Sequence, residues 1–239
     1  MLGCSGSYGA PEGNACSGYL LRAGATRLWI DCGNGTFANL QRHCDVAEID
    51  AVIITHSHPD HCVDIYGLHV MYKYGLGLGG LRVYATADVE PALRALVRHG
   101  WENTFDWVTC TDGDRVTIGE TEVRFARTDH PVPTLAVEVA AQEKRVVYTS
   151  DTGPGWSVDA FGSGADLVLS EATYVHRDIR APIHLSARQA GEAARAAKAK
   201  RLVLTHIWPT VDREESRHEG ADAFGADVEL AVTNATLQV

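Results

Sequence analysis

The run A-V-I-I-T-H-S-H-P-D-H, residues 51–61, constrains this 239-residue chain more than any other stretch. Its opening residues are apolar and β-branched, the pattern of a buried strand, and the strand stops where three histidines and an aspartate begin. Side chains alternate along a strand with period two, so His56 and His58 leave on the same side and present their imidazoles together. Pro59 suits the first turn of a helix, which places Asp60 and His61 at a helix N-terminus turned back toward the same point. Such a turn offers two adjacent donor sets, imidazoles for one metal ion and carboxylate plus imidazole for a second. A solvated polar loop has no need of four donors packed this tightly behind a strand.

One turn cannot complete two metal sites, so further donors are required at other strand ends. His130 follows E-V-R-F-A-R-T-D, Asp151 follows R-V-V-Y-T-S and His206 follows R-L-V-L-T, each just past a predicted strand. More widely, short β-rich runs (Y-L-L-R-A, T-R-L-W-I-D, L-R-V-Y-A, L-A-V-E-V-A) alternate with helical patterns, which makes the chain α/β. The helical pattern covers 60–74, 88–99, 186–200 and 212–224. In the third, Ser186 and Gln189 form a capping box, and alanines at 187, 190, 194 and 197 recur at helical spacing. Strands separated only by turns between 107 and 149 predict an antiparallel meander, so the sheets are mixed. No repeat, low-complexity tract or linker divides the sequence, and residues 1–239 read as a single domain. The glycine-rich G-L-G-L-G-G at 75–80 is a loop without the lysine of a phosphate-binding loop.

Composition narrows the function classes. A hydrophobic fraction of 45% and a charged fraction of 22% are ordinary for a globular chain, and no apolar run reaches membrane-spanning length. The N-terminal M-L-G-C-S-G-S-Y-G-A has neither a basic leader nor an apolar segment of signal length, so a cytoplasmic location is expected. Cys4, Cys16, Cys32, Cys44, Cys62 and Cys110 include no C-x-x-C pair and read as reduced core or loop residues, Cys62 being notable for adjoining His61. A net charge of -10 disfavours any long nucleic acid as a partner.

H-x-H-x-D-H, then an isolated His, S-D-T-G and L-T-H, in that order over nearly the whole chain, resemble the metallo-β-lactamase superfamily. The resemblance implies a four-layer αβ/βα sandwich with metals at one edge between two mixed sheets. It also implies His56, His58 and His130 on one metal ion, Asp60, His61 and His206 on a second, and Asp151 bridging both. Ser150 departs from the glycine that many members carry before the bridging aspartate. L-S-E-A-T-Y at 169–174 and H-L-S-A-R-Q-A-G-E-A-A at 184–194 resemble the branch containing ribonuclease Z and the cyclic-nucleotide phosphodiesterases, in which Glu171 and His184 would pair near the metals. That pairing has a physical logic of its own, because a phosphodiester leaves as a poor alkoxide that benefits from a proton, and a carboxylate-oriented imidazolium can supply one.

Within that branch, ribonuclease Z grips transfer RNA with an arm between the third-motif His and the bridging Asp. Only 20 residues separate His130 from Asp151, and the meander fills them. L-G-C-S-G-S, Q-R-H and L-V-L-T-H-I-W-P look most like bacterial cyclic-nucleotide phosphodiesterases. A glyoxalase II would need an added helical region, for which the 33 residues after His206 are too short. A β-lactamase would more often lack the Asp-His pair of the first motif.

The expectation is therefore a dinuclear metal-dependent hydrolase acting on a small anionic phosphodiester such as a cyclic nucleotide, through a hydroxide shared by two divalent ions. Zinc is the first choice for so imidazole-rich a site, with manganese or iron compatible with the donors. Asp60 would orient the attacking oxygen, and His184, steered by Glu171, would protonate the departing one. The alternatives are a ribonuclease Z-like RNA endonuclease, a thioester or lactam hydrolase on the same fold, and a non-catalytic metal-binding regulatory protein. No membrane partner is expected, and a homo-oligomer is compatible with the sequence. His99 is expected at a helix C-terminus before Gly100. His43, His69 and His218 read as surface or packing residues. His176, near Glu171, could face a substrate and Trp208, after the last ligand, could stack on a base, though packing explains both.

Overall fold

A-V-I-I forms β3 (Ala51–Ile54), the middle strand of a five-stranded sheet in the computed structural model, which describes residues 1–11, 14–97 and 99–239. All four residues are buried because the strand is covered on both faces: Val52 and Ile54 join one apolar cluster, Ala51 and Ile53 another. Around it lie β1 (Tyr19–Ala23), β2 (Thr26–Ile30), β4 (Leu81–Ala85) and β5 (Phe105–Thr109), in the order β1-β2-β3-β4-β5. Only β1 runs antiparallel to its neighbour.

The second sheet comprises β6 (Arg115–Ile118), β7 (Thr121–Arg127), β8 (Leu135–Ala141), β9 (Lys144–Tyr148), β10 (Leu167–Glu171), β11 (Leu202–Thr205) and β12 (Glu229–Leu230). Its order is β12-β11-β10-β9-β8-β7-β6, antiparallel from β6 to β9 and parallel from β9 to β12. The inner faces meet through Leu28, Ile30 and Ile53 on one side and Val123, Phe125, Val137 and Leu169 on the other. Helices α1 (Thr36–Leu40), α3 (Ile65–Val70) and α4 (Val89–Arg94) bring Leu40, Ile65, Leu68, Val89 and Leu93 onto the outside of the first sheet. Helices α5 (Ala187–Ala196) and α6 (Arg213–Phe224) do the same for the second with Ala187, Ala190, Ala194 and Phe224. Helix, sheet, sheet, helix is the expected four-layer sandwich with two mixed sheets.

The capping box at Ser186 is formed, with the Gln189 amide donating to Ser186 Oγ and Gln189 Oε1 accepting from the Ser186 amide. The small residues of α5 serve close packing: a Cβ at Gly191 would lie 2.5 Å from the carbonyl oxygen of Gly220 on α6. Gly191→Ala should therefore destabilise the fold despite alanine's better helix propensity, by about 1–3 kcal/mol. Thermal unfolding reads this directly, and an unchanged or raised Tm would count against so close an approach.

Three expectations need correction. The 60–74 pattern is not one helix: α2 (Pro59–Cys62) ends, α3 begins at Ile65, and a π-turn Met71–Gly75 follows. The break has a cause, since the Asp64 amide is diverted to Cys32 O at 2.8 Å while its carboxylate accepts from the Phe37 amide at 2.7 Å. The 88–99 pattern ends at Arg94, so His99 is not at a helix C-terminus, and Gly100, at φ 83°, leads instead into the 3-10 turn Trp101–Asn103. Arg98 lies outside the described residues. Lastly, β5 belongs to the first sheet, parallel to β4, so the meander covers only β6 to β9. Among the described residues no helix is long and apolar enough to cross a membrane.

Candidate metal centre

The loops that follow β3, β7, β9 and β11 open on one edge of the sandwich, and their donors converge there. His56, His58, His130 and Asp151 form one group whose ligand atoms all lie within 4.8 Å of one another, and Asp60, His61, Asp151 and His206 form a second. Asp151 belongs to both and divides its oxygens between them. Oδ2 lies 3.6 Å from His56 Nε2 and 4.0 Å from His130 Nε2, and Oδ1 lies 3.3 Å from His61 Nε2 and 3.5 Å from His206 Nε2. In the first group His58 Nδ1 stands 3.1 Å from His56 Nε2 and 3.2 Å from His130 Nε2. In the second, Asp60 Oδ2 stands 3.5 Å from His61 Nε2 and 3.2 Å from His206 Nε2. Donors at the corners of a tetrahedron around zinc stand about 3.4 Å apart, so these separations suit a small divalent ion. All seven residues grouped from the sequence are brought together.

The imidazoles are held from behind. Thr55 Oγ1 gives its proton to Asp31 Oδ2 at 3.1 Å and accepts from His56 Nδ1 at 3.0 Å and from Ser150 Oγ at 2.7 Å. His130 Nδ1 donates to Ile183 O, and His206 Nδ1 donates to Thr173 Oγ1, which donates to Glu171 Oε2 at 2.7 Å. His61 Nδ1 donates to Asp31 Oδ2 at 2.7 Å. In all four rings the proton therefore sits on Nδ1 and the Nε2 lone pair faces the site. Asp31, Ser150 and His206 adopt left-handed φ of 57°, 53° and 54°, a cluster of strained non-glycine backbone where the ligands are aimed. At Ser150 this is the conformation that glycine adopts freely, and the serine hydroxyl adds the bond to Thr55.

Asp31 is the residue that sequence reasoning missed. It is fully buried, accepts from His61, Thr55 and the Tyr148 hydroxyl, and so orients one imidazole of each donor group, His61 directly and His56 through Thr55. Its only signal in the sequence was an acid closing the apolar strand T-R-L-W-I-D. Asp31→Asn should leave the fold intact and weaken metal retention about 10- to 100-fold, because the His61 ring loses its anionic acceptor. Competition against a chelator measures this, and unaltered retention would remove Asp31 from the support.

Glu171 and His184 pair as the sequence suggested: His184 Nδ1 donates to Glu171 Oε1 at 3.0 Å and sits 3.9 Å from Asp151 Oδ2. Burial disfavours a charged His184 ring, but Glu171 and Asp151 outweigh it and hold its pKa up at about 9. Cys62 is buried beside the ligands, and burial pushes its thiol up to about 12, which keeps it inert. His176 is exposed, bonds Ser186 Oγ and belongs to neither group. His69 is buried against Thr104, His43 bonds Asn234 and His218 lies beside Arg217, so all three are structural.

Electrostatics ask for a cation. Burial raises the Asp60 and Asp151 carboxyls, yet the imidazoles around them reverse this and hold both well below the usual range. Burial lowers His56, His58 and His130, leaving them as neutral ligands. His61 goes the other way, because Asp151, Asp60 and Asp31 overcome its burial and demand positive charge at its ring. Two buried polar atoms at this point, His61 Nε2 and Asp151 Oδ1, have no hydrogen-bond partner. Orphaned atoms of this kind are costly unless something coordinates them. The donor set fits a divalent ion.

Comparison with known proteins agrees. A family model described as "Beta-lactamase superfamily domain" matches residues 26–207. The Mycobacterium leprae protein ML1173 is 34% identical over 250 residues, covering 100% of this chain and 87% of its own. YhfI of Bacillus subtilis, a probable metallo-hydrolase, is 30% identical over 237 residues, covering 97% and 95%. The YhfI crystal structure superposes with a TM-score of 0.86 at 29% identity, over 97% of this chain and 94% of that one. A ribonuclease Z of Haloarcula marismortui is 26% identical over 290 residues, covering 97% and 93%.

Proposed function

The chain belongs to the β-lactamase superfamily as a metal-dependent hydrolase, and we propose that it cleaves a small phosphodiester such as a cyclic nucleotide. The observation that carries the reading is the Glu171–His184 pair set against the bridging Asp151. A thioester expels a thiolate, which needs no proton, whereas a sugar alkoxide leaves only with one. His184 Nδ1 is committed to Glu171, so Nε2 is the nitrogen available to donate.

The two donor groups are assigned to two divalent ions, zinc suiting the imidazole and carboxylate donors best. Bound there, such ions would neutralise phosphate oxygens and make a neighbouring water acidic. That local positive charge lets a protein of net charge -10 accept a small anion. The remaining steps belong to side chains. Asp60, ionised and partly open to solvent, orients the attacking oxygen, whose proton passes to solvent. As the phosphorus–oxygen bond to the leaving group breaks, that oxygen takes the proton from His184, and Glu171 stabilises the charged ring until then.

The hairpin of β8 and β9 fills the interval between His130 and Asp151, which favours a small diester over a transfer RNA. Six free thiols suit the reducing cytoplasm. Metal analysis followed by one panel decides among the readings. Cyclic nucleotides should be hydrolysed, while precursor transfer RNA, a β-lactam and a glutathione thioester should not. Turnover of the RNA alone would replace this reading with the ribonuclease Z one, and no turnover with full metal occupancy would favour a regulatory binding protein.

A further inference from the structure

A cavity of about 480 Å³ is walled by Tyr174, Val175, Ile179, Arg180, Trp208 and Val211 among others. Its volume is in the range of small-molecule sites. Two of its lining residues, Tyr174 and Trp208, also touch residues around the metal-ligand cluster. Trp208 is two residues beyond His206, and its amide donates to Thr173 O at 3.2 Å. The Tyr174 ring meets the His184 ring edge-on, with centroids 6.2 Å apart at 82°. Both aromatics are thus fixed to residues that hold or form the reaction centre.

The aromatic wall is built from three distant parts of the chain. Trp208 and Tyr174 lie near parallel, centroids 6.3 Å apart at 29°, and Tyr8 meets Trp208 edge-on at 5.5 Å. Tyr8 is 43% exposed, and the amide of its neighbour Ser7 is 3.4 Å from His206 Nε2, so the wall borders the second donor group. Over the indole face sits the Arg180 guanidinium, 5.7 Å from the centroid. Arg177, on the same loop, is bound by Glu215 and Asp178, but Arg180 has no carboxylate partner among the described residues. A flexible cation over an indole can give way to a planar ring and then cover it from above.

We infer that Trp208 and Arg180 form the subsite for a nucleobase, so that the diester cleaved at the neighbouring cluster is a nucleotide; the substrate half of this rests on the phosphodiesterase reading, the subsite itself does not. Base stacking on an aromatic side chain is tolerant of base identity and changes affinity roughly ten- to a hundredfold.

The test compares 3′,5′-cyclic AMP with its abasic counterpart, ribose 3′,5′-cyclic phosphate, on the metal-loaded protein and on Trp208→Ala, Trp208→Phe and Arg180→Gln. The unaltered protein should favour the base-bearing diester about ten- to a hundredfold in kcat/KM, chiefly through KM. Trp208→Ala should bring the ratio close to one, Trp208→Phe should keep most of it, and Arg180→Gln should lower it severalfold. Equal kcat/KM for the two diesters in the unaltered protein, or a preference that survives in Trp208→Ala, would overturn the subsite. Binding supplies an arm independent of turnover: AMP should quench tryptophan fluorescence, ribose 5-phosphate should not, and the quench should vanish in Trp208→Phe. Should neither diester be cleaved, the phosphodiesterase reading falls and the quench decides the subsite alone, its absence overturning it.

Discussion

Asp151→Ala is expected to abolish turnover and to empty both donor groups together, because each oxygen of this one carboxylate faces a different set of imidazoles. Losing the shared anion removes a ligand from each group and leaves the remaining nitrogens repelling any incoming cation less well compensated. A fall of at least about a thousandfold in kcat/KM corresponds to roughly 4 kcal/mol of lost transition-state stabilisation, modest for removal of a metal centre. The fold should survive, since Asp151 belongs to none of the three apolar clusters and the neighbouring imidazoles stay bonded from behind. A ligand that binds only the folded state stabilises it by mass action, so a chelator should lower the Tm of the unaltered protein and leave that of Asp151→Ala where it is. Elemental analysis gives the other readout. Full metal content in Asp151→Ala, or a Tm equally sensitive to chelator in both proteins, would show that Asp151 does not join the two groups.

How much of this was legible before folding depends on whether a signal is local. A-V-I-I-T announced its strand because four consecutive apolar residues are needed where both faces are covered, and H-S-H-P-D-H announced a metal turn because the donors are adjacent in sequence. His130, Asp151 and His206 followed because each ends a strand, and strand ends on one edge of a sandwich gather. Asp31 was hidden: an acid after a strand is commonplace, and its bond to His61, 30 residues away, exists only because β2 and β3 lie side by side with Ile30 opposite Ile53. Likewise β5 looked like the start of the meander, since nothing within F-D-W-V-T tells a strand which sheet to join. The break at Asp64 was illegible for the same reason, as its competing partners, Cys32 O and the Phe37 amide, come from the loop after β2 and from α1. What escaped the sequence was in each case a contact between segments.

His184→Ala should separate the proton-transfer role from the metal role. His184 is not among the seven residues of the two donor groups, though it stands with Glu171 and His206 in a third cluster of potential donors, and metal content should be unchanged. With a cyclic nucleotide, whose leaving oxygen is a sugar alkoxide, kcat and kcat/KM should fall together by about 10²- to 10⁴-fold, the range for loss of a positioned general acid. With an activated aryl phosphodiester the leaving phenolate needs no proton, and the loss should stay under about tenfold. Glu171→Gln is the less discriminating variant, because Glu171 Oε1 holds both His184 and the Thr152 amide while Oε2 reaches His206 through Thr173. It should therefore impair metal retention and proton donation at once. Equal losses on both substrates in His184→Ala would mean that the ring positions the diester rather than protonating it, and a loss of metal would make it a ligand. The contrast between leaving groups is what ties this pair of side chains to phosphodiester chemistry, for a hydrolase of thiolate esters on the same cluster would have no use for it.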